Sequence, residues 1–218
     1  MDRLETALFG ESTRPLFRGW LHLWAAVAAI ASLPFLISIS DSPKANVSAV
    51  VFGVSVILVY GTSAAYHRGS WSPFLSRIIS AMDHSMVLVL IGGTYTPFCL
   101  VVLNARWGIS LLITVWLLVA GGIFMNLARP KTSRWLRFAF YATLGWLALV
   151  PAAELAVRSS AAPLIFLTAG GVSYTLGGII YALRRPDPWP KVFGYIETFH
   201  LFIVAGSILH YAAVASSL

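Results

Sequence analysis

The sequence predicts an all-α integral membrane protein: a bundle of seven transmembrane helices with the N-terminus in the cytoplasm and the C-terminus outside. Three observations carry this. The 218 residues are 58% hydrophobic and only 11% charged, with a mean hydropathy of +0.81, and a soluble domain of this size would need far more polar surface. Seven apolar runs each come close to the roughly 20 residues that a helix needs to cross a bilayer. The basic residues collect in alternate connections between those runs.

The runs lie at about 19–38, 47–66, 81–103, 108–127, 136–156, 162–183 and 194–216. Their connections are too short for a soluble domain, so residues 19–216 read as one transmembrane domain behind a cytoplasmic tail, 1–18. A β-barrel would need shorter, alternating segments, and these runs are continuously apolar. The polar, acidic start Met1-Asp-Arg-Leu-Glu5 argues against a cleavable signal, so the first run reads as an anchor. Trp20, Trp71, Trp107, Trp135 and Trp189 fall near run ends, as an interfacial aromatic belt requires. Pro97 lies inside the third run and should kink it. Gly170, Gly171, Gly177 and Gly178 in the sixth should allow close helix packing. The segment Arg185-Pro-Asp-Pro-Trp-Pro190 cannot continue a helix and closes the sixth connection.

Orientation follows from the Lys and Arg positions. Arg3, Arg14, Arg18, Arg68, Arg77, Arg129, Lys131, Arg134, Arg137, Arg184, Arg185 and Lys191 share one side, while only Lys44, Arg106 and Arg158 fall on the other. Short cytoplasmic loops carry the positive excess. This distribution also accounts for the net charge of +7, and no basic stripe interleaved with aromatics points to nucleic acid. The single cysteine, Cys99, excludes an intramolecular disulfide. The expected location is the plasma membrane, as a multi-pass protein with bilayer lipid as its ligand or substrate.

Ionisable side chains inside a membrane are expensive and face a partner, a cavity or a metal. Ser63, His67, Asp83, Glu197 and His200 all fall near the cytoplasmic ends of their runs. Ser63 and His67 are four residues apart and share a helix face, as do Glu197 and His200 at a spacing of three. Imidazole and carboxylate are ordinary zinc ligands, and a zinc-bound water can lose its proton near neutral pH and attack a carbonyl. On that reading Asp83 acts as general base and Ser63 supports an oxyanion. Structural alternatives stand beside it: His67 as an interfacial ring, and Asp83 as the cap of the third helix. His84 points about 100° away from Asp83, toward the lipid interface. His210 lies about 15 Å further along the last helix than His200. Neither it nor His22 is expected to take part directly, and Glu154 reads as a solvated residue at the outer interface.

Gly61-Thr-Ser-Ala-Ala-Tyr-His67, Asp83-His-Ser-Met86 and Gly93-Thr-Tyr-Thr-Pro97 together resemble the haemolysin III family, which belongs with the progestin and adiponectin receptors. Arg18-Gly-Trp-Leu-His22, Arg185-Pro-Asp-Pro-Trp-Pro190 and Phe193-Gly-Tyr-Ile-Glu-Thr-Phe-His200 extend the resemblance over nearly the whole chain. It implies a seven-helix fold and the pattern Ser-x-x-x-His, Asp, then His-x-x-x-His in the last helix, whose three histidines bind zinc in the receptor branch. Ser63, His67, Asp83 and His200 match that pattern; Ile196 stands where the remaining histidine belongs. Three outcomes follow: Glu197 substitutes as a ligand beside His67 and His200, zinc binds weakly through an extra water, or the site holds no metal. Even losses behind the ligands cost about 10–100-fold in metal affinity. The functions in play are a zinc-dependent lipid amide or ester hydrolase with an incomplete ligand set, a membrane-perturbing haemolysin-type protein, and a non-catalytic lipid-binding sensor of membrane state.

Overall fold

The computed structural model describes residues 15–129 and 132–218. Arg3, Arg14 and Lys131 of the charge count, and most of the tail 1–18, lie outside the described residues. The helices are α1 (Trp20–Ser38), α2 (Pro43–Arg68), α3 (Pro73–Pro97), α4 (Ala105–Ala128), α5 (Arg134–Gly145), α6 (Ala152–Arg158), α7 (Ala161–Leu183) and α8 (Tyr195–Ala215). Six are long and apolar enough to span a membrane, and α5 with α6, bent by 50°, supply a broken seventh.

Several starts are written in local chemistry. Ser42 accepts from the Ala45 N–H at 3.2 Å with Pro43 at the first helical position. Ser72 and Pro73 repeat this at α3, and Asn104 and Ser133 cap α4 and α5 in the same way. Such caps satisfy donors the helix itself leaves orphaned, and proline there forfeits nothing. The consequence for α3 is that it begins at Pro73, well before the apolar run. Asp83 therefore sits about three turns inside the helix and does not cap it.

After Pro97 the third span continues as a π-helical turn, Phe98–Val102, the kind of register change that absorbs an interrupted hydrogen-bond ladder. The fifth span breaks where Gly145 leads into a 3-10 turn, Trp146–Leu149, followed by Pro151. Backbone groups exposed by a break in lipid need partners. The buried Tyr95 hydroxyl provides one, lying 3.0 Å from the Leu144 carbonyl and 2.9 Å from that of Gly145 while accepting the Ala148 N–H at 2.6 Å.

In the bundle α2 packs against α1 and α3, α8 runs along α7, and α1 also meets α8. The glycines of α7 serve two neighbours. A Cβ on Gly170 or Gly177 would meet His210 or Phe202 of α8, and one on Gly171 or Gly178 would meet Trp146 or Phe138 on the other side. Leu117, Phe124 and Ile165 point outward, where lipid would cover them.

Gly19 is the one described glycine that combines strain and crowding. Its φ of +77° is left-handed, and a Cβ there would lie 2.9 Å from Arg68 Cγ and 3.0 Å from His67 Cβ. A side chain at such a backbone angle costs about 1–2 kcal/mol before any clash. Gly19→Ala should therefore lower the thermal unfolding midpoint in detergent micelles. Gly121→Ala, with nothing within 4 Å of the new Cβ, should leave it unchanged or slightly higher.

Candidate functional site

Glu197 organises the basic end of the bundle. Fully buried, it accepts the Gly194 N–H through Oε2 at 2.8 Å, the carboxylate half of a capping box at the start of its own helix. Its Oε1 accepts from Nε of Arg18 at 2.5 Å, across 179 residues of sequence. Arg18 immediately precedes Gly19, whose left-handed turn starts α1. The first and last spans are thereby pinned together at one end.

One turn further into each helix, the pair sets two imidazoles face to face. The His22 and His200 rings lie 3.7 Å apart between centroids, with planes inclined by 21°. His67 of α2 meets His200 edge-on at 4.9 Å and 63°, and the Tyr60 ring meets His22 at 4.9 Å. Both ring nitrogens of His22 and Nδ1 of His200 are enclosed without a hydrogen-bond partner. Ser63, one turn before His67, is buried, and the half-buried Asp83 faces both Ser63 and Arg137.

The expected site residues thus gather at one end of the molecule, with two additions. His22 and Arg18 belong to the assembly, and their i, i+4 spacing in Arg18-Gly-Trp-Leu-His22 was the available sequence signal. His84 is turned inward, with Nδ1 2.6 Å from the Ser80 carbonyl and Nε2 3.3 Å from the Tyr181 hydroxyl. His210 is separate: its Nε2 lies 3.1 Å from the Leu167 carbonyl and its ring against Tyr174.

Zinc, which the resemblance implies, can be tested against this arrangement. The donor chemistry is suitable, since three enclosed imidazole nitrogens lack partners. The directions are not. An imidazole lone pair lies in the ring plane, and nearly parallel planes 3.7 Å apart do not meet within the roughly 2.0–2.1 Å of a zinc–nitrogen bond. Both oxygens of Glu197 are engaged, and Ile196 offers no donor. Among the described residues no three His, Cys, Asp or Glu side chains are placed to hold one ion. As arranged, the residues do not fit a zinc centre.

Fold and site together define a seven-span α-helical membrane protein with a histidine cluster buried at the basic end of its bundle. Its sequence matches the haemolysin-III-related family over residues 11–211, and the chain belongs to that family. It is 33% identical to the hemolysin-3 homolog of Bacillus subtilis (strain 168) over 189 residues, covering 85% of each chain. It is 31% identical to hemolysin-3 of Bacillus cereus over 194 residues, covering 86% of this chain and 85% of that one. The adiponectin receptor protein of Drosophila melanogaster is more distant, 25% identical over 225 residues, 90% of this chain and 49% of that one.

Removing one member of a buried ion pair costs about 3–5 kcal/mol, because the other charge is left uncompensated. Glu197→Gln and Arg18→Met should each lower the unfolding midpoint, whereas the double variant should lose less than the sum. A strictly additive double-mutant cycle would show that the pair does not join α1 to α8.

Proposed function

We propose that this chain is a non-catalytic, lipid-responsive member of its family. In this reading the histidine cluster latches the first, second and last spans together instead of holding a hydrolytic metal. The observation that carries the reading is the face-to-face contact of His22 with His200, which turns their lone pairs away from a common point. Ile196 and the doubly engaged Glu197 point the same way. Ser63, Glu197, His22 and His200 are all at or below 3% exposure, which leaves a substrate carbonyl an approach only along the half-buried His67 and Asp83. The positive-inside rule assigns this end to the inner leaflet, and the plasma membrane is the proposed location.

A second reading, the zinc-dependent lipid hydrolase, draws support from the three unpartnered imidazole nitrogens. Each such buried group costs about 1–3 kcal/mol, which an ion would relieve if His22 rotated out of its stack. His67 and His200 would then be ligands, with Glu197 released from Arg18, and Asp83 and Ser63 would lie beside them. Lysis is attributed to the Bacillus cereus relative by its name, and for this chain it has no support beyond that name.

Metal content and lipid cleavage separate the readings. Purified protein equilibrated with zinc and desalted should retain well below one ion per chain and release no fatty acid from a panel of lipid amides and esters. Ile196→His, restoring an imidazole one turn before His200, should gain zinc. A parent that keeps about one zinc per chain, loses it in His67→Ala and cleaves a lipid would overturn the proposal in favour of the hydrolase.

A further inference from the structure

A second polar feature opens beside the histidine cluster. It is a cleft of about 260 Å³ between the end of α2, the first three turns of α3, the end of α4 and the start of α5. Arg77 and Arg137 line it with Ser80, His84 and Asn126, and no acidic side chain does. The walls are held by hydrogen bonds. Asn126 donates to the Tyr141 hydroxyl at 2.9 Å, and Tyr141 donates to the His84 carbonyl at 2.9 Å. A carbonyl can only accept, so Nδ1 of His84 carries the proton that it gives to Ser80, and in the neutral ring Nε2 accepts from Tyr181. Four spans, α3, α4, α5 and α7, thereby fix the shape of the cleft.

The guanidinium groups are only partly used: Arg137 bonds to Tyr181 and Arg134 lies over the Tyr181 ring. Nε of Arg137 is enclosed without a hydrogen-bond partner, as is a terminal nitrogen of Arg134, one turn earlier on α5. Among the described residues the ion pairs within 4.0 Å are Arg18–Glu197 and Arg158–Glu154, both elsewhere. Asp83, the carboxylate that Arg137 faces, also faces Ser63 and does not close a salt bridge with it. An enclosed, unpaired guanidinium nitrogen is costly, and its fork of donors matches phosphate oxygens better than any other common anion-binding side chain.

We infer that this cleft binds the phosphate group of an anionic membrane lipid, gripped by Arg137 within and Arg77 at the mouth. Two features favour a lipid over a free phosphate. On α3, Phe74, one turn before the lining residue Arg77, and Ile78, next to it in sequence, are 70% and 41% exposed, which suits acyl chains passing alongside. The volume falls below the roughly 300–1,000 Å³ of pockets that enclose drug-sized ligands, which suits a headgroup whose tails stay in the bilayer. None of His22, His67 and His200 lines the cleft, and the chelator in the test below reads it apart from any metal in their cluster.

The test is equilibrium binding to the full-length protein in uncharged detergent with a metal chelator present. Dioctanoyl phosphatidic acid, dioctanoyl phosphatidylcholine and inorganic phosphate are each titrated and read by native mass spectrometry and by the shift in unfolding midpoint. Phosphatidic acid should bind and raise the midpoint, and phosphatidylcholine should bind at least tenfold more weakly. Arg137→Gln should weaken phosphatidic acid at least tenfold, and Arg77→Gln, an exposed position that should not disturb folding, several-fold. Arg137→Lys, keeping charge without the fork, should fall between, and Arg158→Gln at the opposite end should have no effect. Equal affinity for the two lipids, or unchanged binding in both Arg77→Gln and Arg137→Gln, would overturn the site. Inorganic phosphate binding as tightly as phosphatidic acid would overturn its assignment to lipid.

Discussion

The carboxylate of Glu197 is shared between the first residue ahead of its own helix and an arginine from the other end of the chain. A fully buried carboxylate at the edge of a bundle is tolerable only if each oxygen finds a donor, and both do, in Gly194 and Arg18. The rest of the basic end follows from this. Arg18 is held just ahead of α1, the left-handed Gly19 turns the chain into the helix, and His22 arrives one turn later. On α8, His200 stands at nearly the same distance from Glu197. The ring stack between first and last spans is therefore a product of matched registers on two helices, fixed by one ion pair.

That geometry bears directly on chemistry. A metal centre needs lone pairs that converge, and imidazoles converge when their planes are steeply inclined around a point. His67 and His200 meet at 63° while His22 and His200 lie at 21°, so the third ring stacks instead of ligating. In the resembled pattern the third imidazole would project from α8 itself, one turn before His200, where this chain has Ile196. Removing that donor and stacking His22 on the survivor leave an apolar and aromatic contact where a ligand set would otherwise be assembled.

Much of this was legible in the sequence, and the failures have physical causes. Six spans follow from uninterrupted apolar length. The fifth run was equally apolar, but Gly145 and Pro151 divide it, and hydropathy does not register a bend whose loose backbone groups are satisfied by Tyr95 from another helix. The early start of α3 is signalled by Ser72-Pro73, a helix-start signal that lies outside the apolar run and that excludes capping as the role of Asp83. Ser63, His67, Asp83, Glu197 and His200 were found because polar residues at helical spacing inside apolar runs are conspicuous. Nothing within its own run shows which way His22 faces. That direction depends on rotation about the α1 axis, set by Arg18 and a partner 179 residues away.

Buried polar groups elsewhere in the bundle sharpen the contrast between its two halves. Beyond the histidine cluster, Tyr60 donates to Ser207 at 2.6 Å, the Tyr174 hydroxyl lies 2.7 Å from the same oxygen, and His210 reaches the Leu167 carbonyl. These side chains bond to one another or to backbone across α2, α7 and α8, as polar residues that glue helices in lipid do, and only Nδ1 of His210 is left over among them. At the basic end the balance reverses: both nitrogens of His22, one of His200 and guanidinium nitrogens of Arg134 and Arg137 are enclosed without partners. Polar groups whose hydrogen bonds are spent on the fold have little left for a ligand. Among the described residues, the unspent ones other than Ser48 Oγ and His210 Nδ1 lie where the basic loops meet the bundle.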